Sequence, residues 1–287
     1  MKKMTVSTWN INQRSGTGKG KQIPEMIVHE LAKQNSDIVC LTEYVKGKNH
    51  SEFCEQLKSL GYSLFMYPEH IKKFQNEVLI AIKTKFVTLP RITTFPEEEF
   101  PDFLHLQIDF EGAPLHIIGA RIKIADIDDT LPYKRKLPLL VKDAKERLLQ
   151  IEYITEYVRK LNGNILLMGD FNNFNNFHYF EHQKIDSWEH DKEFLQNYYS
   201  YPLLVAKMTE VNLATYSPTG NYDEVYSWIN PGTRADNIKR YIRNDHLFSN
   251  LTEISDIKYS WEFTKNPKYQ NKVGFPDHAI LSATISL

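Results

Sequence analysis

Several strand-like segments follow one another between Tyr62 and about Ile124, with no helical pattern between them. Each is short and rich in β-branched or aromatic residues; they are Leu64–Tyr67, Val78–Ile82, Val87–Ile92, Leu104–Phe110 and Leu115–Ile124. Antiparallel strands can be joined by a tight turn, whereas parallel strands need a crossover connection of a dozen or more residues. The crowding of these strands therefore disfavours a doubly wound parallel sheet, which is the main alternative among α/β folds.

Strand and helix patterns alternate on either side of this region. Strands are predicted at Met4–Ile11, Ile38–Leu41 and Ile165–Met168, and helices from Pro24 onward and over Ser51–Leu60. The short apolar runs at Ile38 and Ile165 are typical of strands that are buried on both faces. Such strands need a layer on each side, so we expect helices to cover the outside of the sheets.

The longest periodic segment runs from Leu137 to Leu161, with apolar residues at three- and four-residue steps. This spacing predicts an amphipathic helix with Pro138 in its first turn. Strands then return at Val225–Trp228, Arg240–Phe248, Ile254–Tyr259 and Ala279–Ile285. No stretch has the composition of an interdomain linker, so we expect a single domain over residues 1–287. The predicted fold is an α/β sandwich of two packed mixed sheets flanked by helices.

Charge and cysteine content limit the classes of function. Lys and Arg number 35 against 36 Asp and Glu, a formal net charge of −1. This balance argues against a protein that coats nucleic acid through a basic surface, although a single phosphate pocket needs only a few charges. Cys40 and Cys54 are the two cysteines, which favours a reducing compartment. Because the sequence shows neither a secretory signal nor an apolar run of roughly 18 residues, we expect a cytoplasmic protein without a membrane span.

Side chains that can bind metal or transfer protons lie at the ends of predicted strands. They are Asn10 and Asn12, Glu43, Asp170 and Asn172, Asp245 and His246, and Asp277 and His278. Taken singly, each is typical of a turn, a helix cap or a surface hydrogen bond. Together they supply oxygen ligands that suit Mg²⁺ or Mn²⁺ better than Zn²⁺, and an imidazole that can handle a proton. This combination points to a phosphate ester as substrate, because a bound cation offsets the charge that develops on the phosphate.

Short motifs occur in one order from the first strand to the last. They are Trp9-Asn10-Ile11-Asn12, Asp37–Glu43, Gly169-Asp170-Phe171-Asn172, Asn244–Phe248 and Asp277-His278. With this set the chain resembles the endonuclease/exonuclease/phosphatase superfamily, which includes abasic-site endonucleases, pancreatic-type deoxyribonuclease, neutral sphingomyelinases and inositol-polyphosphate phosphatases. The resemblance spans practically the whole chain. It implies a four-layered α/β sandwich, in agreement with the fold predicted from the strand and helix patterns.

The resemblance also implies a metal site. The Asn of the first strand and the Glu that ends the second buried strand form this site in the family, so Asn10 and Glu43 inherit the role. Asp277 is a further candidate in the metal region. The cofactor implied is Mg²⁺, with Mn²⁺ as an alternative.

Catalytic roles follow from the same resemblance. Asp170 is expected to orient or deprotonate the attacking water, and Asn172 to contact the scissile phosphate. His278 is expected to donate to a phosphate oxygen while Asp245 holds its ring. The reaction implied is in-line attack of water on phosphorus without a covalent enzyme intermediate.

The predicted strand Leu115–Ile124 departs from the family at Arg121, where many members carry a His. Two interpretations stay open: the guanidinium binds a phosphate oxygen, or it forms a structural ion pair on the polar face of the strand. The departure puts in doubt any assignment to the sphingomyelinase or pancreatic-nuclease branches. Pro276 also replaces the usual Ser or Thr before the last motif. Asn12 and Trp228 are further candidates for substrate contact.

The substrate class depends on loops, and the sequence leaves it open. Phe174, Phe177 and Tyr179 either stack a base or pack under the next helix. The leading hypothesis is a magnesium-dependent phosphodiesterase that acts on nucleic acid, with a small phosphoester or a lipid headgroup as the next substrate class. A phosphatase and a non-catalytic module that holds a phosphorylated partner are the alternatives. We infer no obligate protein partner.

Overall fold

The computed structural model describes residues 2–13, 23–67, 76–95, 100–128, 131–173, 201–230, 239–266 and 275–287. Within these ranges, two six-stranded sheets pack face to face and helices cover their outer surfaces. The predicted α/β sandwich is therefore confirmed, with the four layers that the family resemblance implies. None of the helices in the described part of the chain is long and apolar enough to cross a membrane.

The elements are numbered in chain order. The strands are β1 (Lys3–Asn10), β2 (Ile38–Tyr44), β3 (Tyr62–Phe65), β4 (Glu77–Lys83), β5 (Arg91–Thr94), β6 (Asp102–Phe110), β7 (Ala113–Arg121), β8 (Asn164–Asp170), β9 (Ala214–Tyr216), β10 (Trp228–Asn230), β11 (Arg240–Ile242), β12 (Asp245–Ser249), β13 (Ile254–Ser260) and β14 (Ile280–Ser286). The helices are α1 (Glu25–Gln34), α2 (His50–Ser59), α3 (Tyr133–Val158) and α4 (Tyr201–Thr209).

Each large sheet is built around one parallel pair of strands. The first sheet has the order β13-β14-β1-β2-β4-β3, and the second has the order β5-β6-β7-β8-β12-β9. Strands β1 and β2 are parallel, as are β7 and β8, whereas the other recorded pairs in these sheets are antiparallel. Helix α1 connects the first parallel pair and α3 connects the second, as the crossover rule requires. The carboxyl ends of each parallel pair therefore lie side by side.

The core has three apolar layers. The layer between the sheets contains side chains such as Val6, Ile80 and Ile117. On the outside of the first sheet, α1 and α2 bury residues that include Leu31. On the outside of the second sheet, α3 and α4 bury residues that include Ile154. This arrangement explains why β2 and β8 read as continuous apolar runs, since both of their faces are covered.

The two sheets approach each other closely at Gly119 of β7. A Cβ atom at this position would lie 2.4 Å from Sγ of Cys40 and 2.5 Å from Cγ1 of Val78, both on the facing sheet. These distances are shorter than any van der Waals contact allows, so the position accepts only a hydrogen atom.

We predict that Gly119→Ala lowers the free energy of unfolding by about 1–3 kcal/mol, because the added methyl overpacks a filled interface. Denaturant unfolding measures this loss. Combining Gly119→Ala with Cys40→Ala removes one of the two clashing atoms and is expected to restore part of the stability. An alanine at position 119 that leaves the unfolding midpoint unchanged would contradict the packing described here.

A chain of buried hydrogen bonds ties α3 to the second sheet. The Nε2 atom of His116 lies 2.9 Å from the carbonyl oxygen of Asn162 and must donate to it, so its Nδ1 is an acceptor. His105 therefore donates from Nε2 to this Nδ1 at 2.9 Å, and accepts at its own Nδ1 from the Tyr157 hydroxyl at 2.8 Å. Burial, and next the neighbouring His116, lower the pKa of His105 to about 4. The network therefore holds His105 in its neutral form.

A His with a pKa of about 4 in the folded protein and 6.5 in the unfolded chain stabilises the fold above pH 6.5. This contribution is lost as the pH falls to about 4, because the unfolded chain binds the proton first. We predict that His105→Gln flattens the pH dependence of unfolding across this window, by on the order of 3 kcal/mol in total. Urea unfolding at several pH values measures the slope. His29→Gln, at an exposed position on α1, is the control.

Several local features differ from the sequence-based expectation. The strands predicted at Val87–Ile92 and Val225–Trp228 are observed further along the chain, as β5 and β10. Helix α3 begins at Tyr133, so Pro138 lies in its second turn instead of its first. The predicted strand Arg240–Phe248 is two strands, because the chain turns between β11 and β12 and changes partners. Helix α4 and strand β9 were not predicted; their short apolar segments carry no clear periodicity. The break before β12 matters for function, because it sets the position of Asp245.

Candidate functional site

The polar residues at the strand ends meet where the two parallel pairs face each other. Asn10 ends β1 and Asp170 ends β8, and the Nδ2 atom of Asn10 donates to Oδ2 of Asp170 at 2.9 Å. Asp245 opens β12 directly opposite Asp170 in the antiparallel register. Residues from both sheets therefore share one buried polar site, although they are separated by up to 235 positions in the chain.

Asp170 is the most connected carboxylate of the site. Its Oδ1 accepts the backbone N–H of Asn172 at 3.0 Å, and its Oδ2 accepts the side-chain amides of Asn10 and Asn172. Burial raises the pKa of Asp170 to about 6; His278 opposes this rise, and Asp245 adds to it. The preceding Gly169 has φ +150°, and a Cβ there would lie 1.8 Å from the carbonyl oxygen of Ala120. A glycine is therefore required to turn Asp170 into the site.

Asn172 directs its amide toward the protein. Its Nδ2 donates to the carbonyl oxygen of Ile122 at 2.9 Å and to Oδ2 of Asp170 at 3.2 Å. Both amide hydrogens are therefore engaged, and contact with a phosphate requires one of them to exchange partners. In this geometry Asn172 orients Asp170.

His278 and Asp245 form the pair that the motif order predicts. The Nδ1 atom of His278 lies 2.8 Å from Oδ2 of Asp245, and both residues are buried. Burial alone would lower the pKa of His278, but Asp245 and then Asp170 raise it to about 10. The Nε1 atom of Trp9 donates to the carbonyl oxygen of His278 at 3.0 Å and fixes its backbone. Among the described residues, Oδ1 of Asp245 has no hydrogen-bond partner.

The ligand atoms of Asp170, Asp245 and His278 lie within 4.8 Å of one another, which is close enough to hold a metal ion. The raised pKa of His278 favours the protonated ring, which pairs with the Asp245 carboxylate.

The residues that the family resemblance implies as metal ligands, Glu43, Asn10 and Asp277, all offer oxygen atoms. Glu43 is the last residue but one of β2 and has φ +51°, a strained conformation for a non-glycine residue; its side chain is largely buried. Asp277 has an exposed side chain, but desolvation by the surrounding protein raises the pKa of its carboxyl; His278 opposes this effect and Glu43 adds to it. The carboxylates of Glu43 and Asp277 therefore repel each other. The Oδ1 atom of Asn10 accepts the backbone N–H of Asn12 at 2.9 Å and keeps a second lone pair. All these donors are oxygens, as Mg²⁺ and Mn²⁺ prefer.

Arg121 lies inside the site as an ion pair. Its Nη2 is 2.6 Å from Oε1 of Glu43, its Nη1 donates to Oδ2 of Asp102 at 3.2 Å, and its Nε is 3.9 Å from Oδ2 of Asp170. Burial would lower the pKa of Arg121, but these carboxylates raise it, so the guanidinium stays charged. Of the two interpretations left open by the sequence, this geometry is that of the ion pair. The sequence reasoning missed Asp102, which pairs with Arg121 across β6 and β7.

Trp228 and Asn12 are the two other candidates for substrate contact. Trp228 donates from Nε1 to Oδ2 of Asp277 at 3.3 Å, and its ring centroid is 6.1 Å from that of His278. It is half-buried and lies beside His278. Asn12 instead donates its side-chain amide to the carbonyl oxygen of Phe275 at 3.0 Å, which holds the loop before Asp277. Phe174, Phe177 and Tyr179 lie outside the described residues.

Comparison with known proteins identifies the family. The model of the endonuclease/exonuclease/phosphatase family matches residues 7–277. The chain belongs to this family. The resemblance deduced from the motifs is thereby confirmed, as is the expectation of a phosphodiesterase- or nuclease-like hydrolase. Enzymes of the family generally depend on divalent metal ions.

Solved structures of the endonuclease/exonuclease/phosphatase family share the fold at low sequence identity. TDP2 from D. rerio, complexed with a single-strand DNA product, matches over 100% of both chains with a TM-score of 0.60 and 12% identity. The 3′ phosphatase NExo from Neisseria, bound to a product DNA hairpin, has a TM-score of 0.58 and 15% identity over 99% of this chain and 100% of its own. ANGEL2, a 2′,3′-cyclic phosphatase, has a TM-score of 0.55 and 12% identity over 99% of this chain and 96% of its own. No curated protein matches the sequence.

In this member of the endonuclease/exonuclease/phosphatase family, a polar face of α3 supports the site from outside. The Oε1 atom of Gln150 accepts the backbone N–H of Lys123 at 2.7 Å, and its Nε2 donates to the carbonyl oxygen of Lys123 at 3.1 Å. Arg147 donates from Nη1 to the carbonyl oxygen of Asn172 at 2.7 Å and from Nε to Asp143 at 2.8 Å. The helix therefore holds the loops that follow β7 and β8. Sequence reasoning missed these residues, although their spacing of four and three places them on one helix face.

We predict that Arg147→Met lowers the free energy of unfolding by about 3–5 kcal/mol, because it leaves the Asp143 carboxylate buried without its cation. Replacing both residues, as Asp143→Leu with Arg147→Met, is expected to cost less than the single change. Urea unfolding compares the variants. On the same helix, Lys142→Met breaks the exposed pair with Glu146 and is the matched control, with an expected loss below about 1 kcal/mol.

Proposed function

We propose that this protein is a divalent-cation-dependent phosphodiesterase, with Mg²⁺ as the cation and nucleic acid as the substrate class. The observation that carries the proposal is the convergence of Asp170, the His278–Asp245 pair and the oxygen donors around Glu43 at one junction of the two sheets. Structural ion pairs seldom need a buried acid, a buried imidazole and a set of oxygen donors together. Hydrolysis of a phosphodiester can use all three, for proton transfer and for metal-assisted charge stabilisation.

We assign the cation to Glu43, Asn10 and Asp277. When bound, the cation neutralises negative charge on the phosphate and polarises its oxygens. Oxygen-only donors and the accumulated negative charge in this region support the assignment.

We assign the reaction itself to the buried pair and Asp170. Asp170, held by Asn10 and Asn172, orients the water for in-line attack and accepts its proton. His278 is kept in place by Asp245 and donates from Nε2 to a phosphate oxygen. Arrangements of this kind lower the barrier by positioning and by charge stabilisation, without a covalent intermediate.

Two observations support nucleic acid as the substrate class. Two of the structurally similar proteins named above hold DNA, and Trp228 presents a half-buried indole beside His278 on which a base can stack. A net charge of −1 favours a substrate that is bound at a few phosphates, such as a single strand or a strand end, over a long duplex.

We predict that Asp170→Asn and His278→Gln each lower kcat by at least about a hundredfold, the usual contribution of a positioned acid or base. The assay measures hydrolysis of bis-p-nitrophenyl phosphate, a single-stranded oligonucleotide, a phosphoinositide and sphingomyelin, each with Mg²⁺ and with EDTA. Asp256→Asn, an exposed carboxylate on β13, is the matched control and should retain wild-type rates.

The outcomes separate the hypotheses. Oligonucleotide cleavage that requires Mg²⁺ and is lost in both variants supports the proposal. Cleavage of only the lipid or small phosphoester substrates would reject nucleic acid as the substrate class and would leave the proposed mechanism standing. A full rate in Asp170→Asn would overturn the assigned roles, and the absence of hydrolysis in the wild-type protein on every substrate would favour a binding module.

A further inference from the structure

Arg121 and the proposed cation compete for the same carboxylate. The guanidinium Nη2 already contacts Oε1 of Glu43 at 2.6 Å, and the side chain of Arg121 is 3% exposed. A cation on Glu43 therefore has a fixed positive charge as its neighbour.

Asp102 opposes the charge of Arg121. Its Oδ2 accepts from Nη1 of Arg121 at 3.2 Å, and its Oδ1 lies 3.6 Å from Nζ of Lys123. Asp102 is buried, and it faces Arg121 directly across β6 and β7. The carboxylate thus fixes the guanidinium beside Glu43 and also compensates part of its charge.

Like charges at contact distance repel strongly at the effective dielectric of a protein interior. The side chains of Arg121 and Glu43 are both largely buried. Salt and solvent therefore screen the repulsion between the guanidinium and a cation on Glu43 only weakly. The side chain of Glu43 is also shared, since the oxygen that contacts Arg121 has less electron density to offer a cation. Both effects act in the same direction.

We propose that Arg121 weakens divalent-cation binding at Glu43 and that Asp102 partly offsets this effect. The inference rests on the proposed cation site, and it makes the Arg121–Asp102 pair a determinant of cation affinity. Charge removal at the two positions then has opposite consequences, which loss of structure alone would not produce.

The experiment titrates the purified full-length protein with Mn²⁺ in the absence of substrate, by calorimetry and by the electron paramagnetic resonance signal of the free ion. Arg121→Gln is expected to tighten Mn²⁺ binding by roughly tenfold or more, and Asp102→Asn to weaken it by a similar factor. Arg121→Lys retains the charge and should stay within about threefold of the wild-type affinity. The double variant Arg121→Gln with Asp102→Asn should lie between the single variants.

Remote substitutions supply matched controls for net charge. Lys58→Gln and Glu55→Gln each remove one charge from an exposed pair on α2 and should leave Mn²⁺ affinity unchanged. Weaker or unchanged binding in Arg121→Gln would overturn the inference. If Arg121→Gln does not fold, the test rests on Asp102→Asn. Mn²⁺ binding by Asp102→Asn that is as tight as in the wild type, or tighter, would then overturn the inference.

Failure of this inference is distinct from failure of the proposed function. Wild-type Mn²⁺ binding together with Mg²⁺-dependent hydrolysis, but with affinities in the wrong order, would reject the role of Arg121 and leave the phosphodiesterase proposal intact. The absence of Mn²⁺ binding in the wild type and in every variant would reject the cation site itself.

Discussion

Burial of several carboxylates at one junction is the constraint on which this structure depends. Asp102, Asp170 and Asp245 are each less than one-tenth exposed, and an isolated buried charge is too costly to retain. Arg121 compensates two of them, and protonated His278 compensates the third. Arg121 and His278 thus stabilise the buried acids, and both also have a part in the proposed chemistry. Stability and function are therefore coupled at this junction.

The two parallel strand pairs explain why the junction forms where it does. A parallel pair needs a crossover helix, and its carboxyl ends then point the same way. Stacking two such pairs face to face brings β1, β2, β7 and β8 to one polar site, while Gly119 lets the sheets approach closely behind it. Helix α3 serves twice, because its apolar face covers the second sheet and its polar face holds the loops after β7 and β8.

Much of the fold and of the site was predictable, for identifiable physical reasons. The crowded strands between Tyr62 and Ile124 ruled against a parallel sheet, and motif order led to the His278–Asp245 pair. The contacts of Arg121 were not predictable. Strand periodicity indicates on which face of the sheet a side chain lies, but it does not indicate which residues the side chain contacts there. Asp102 was missed for the same reason, because its importance comes from a cross-strand register. The break before β12 depends on a change of strand partners, which no local pattern records.

The sequence by itself determined the layers, the family and the chemical types of the site residues, because burial periodicity and short polar motifs are local properties of the chain. Only the tertiary structure decided how those residues are used. It turned Arg121 toward Glu43 and Asp102, engaged both amide hydrogens of Asn172 within the protein, and paired Asn10 with Asp170 and His278 with Asp245. These outcomes depend on distances of a few ångströms between residues far apart in the chain, and such distances are set by how two sheets pack.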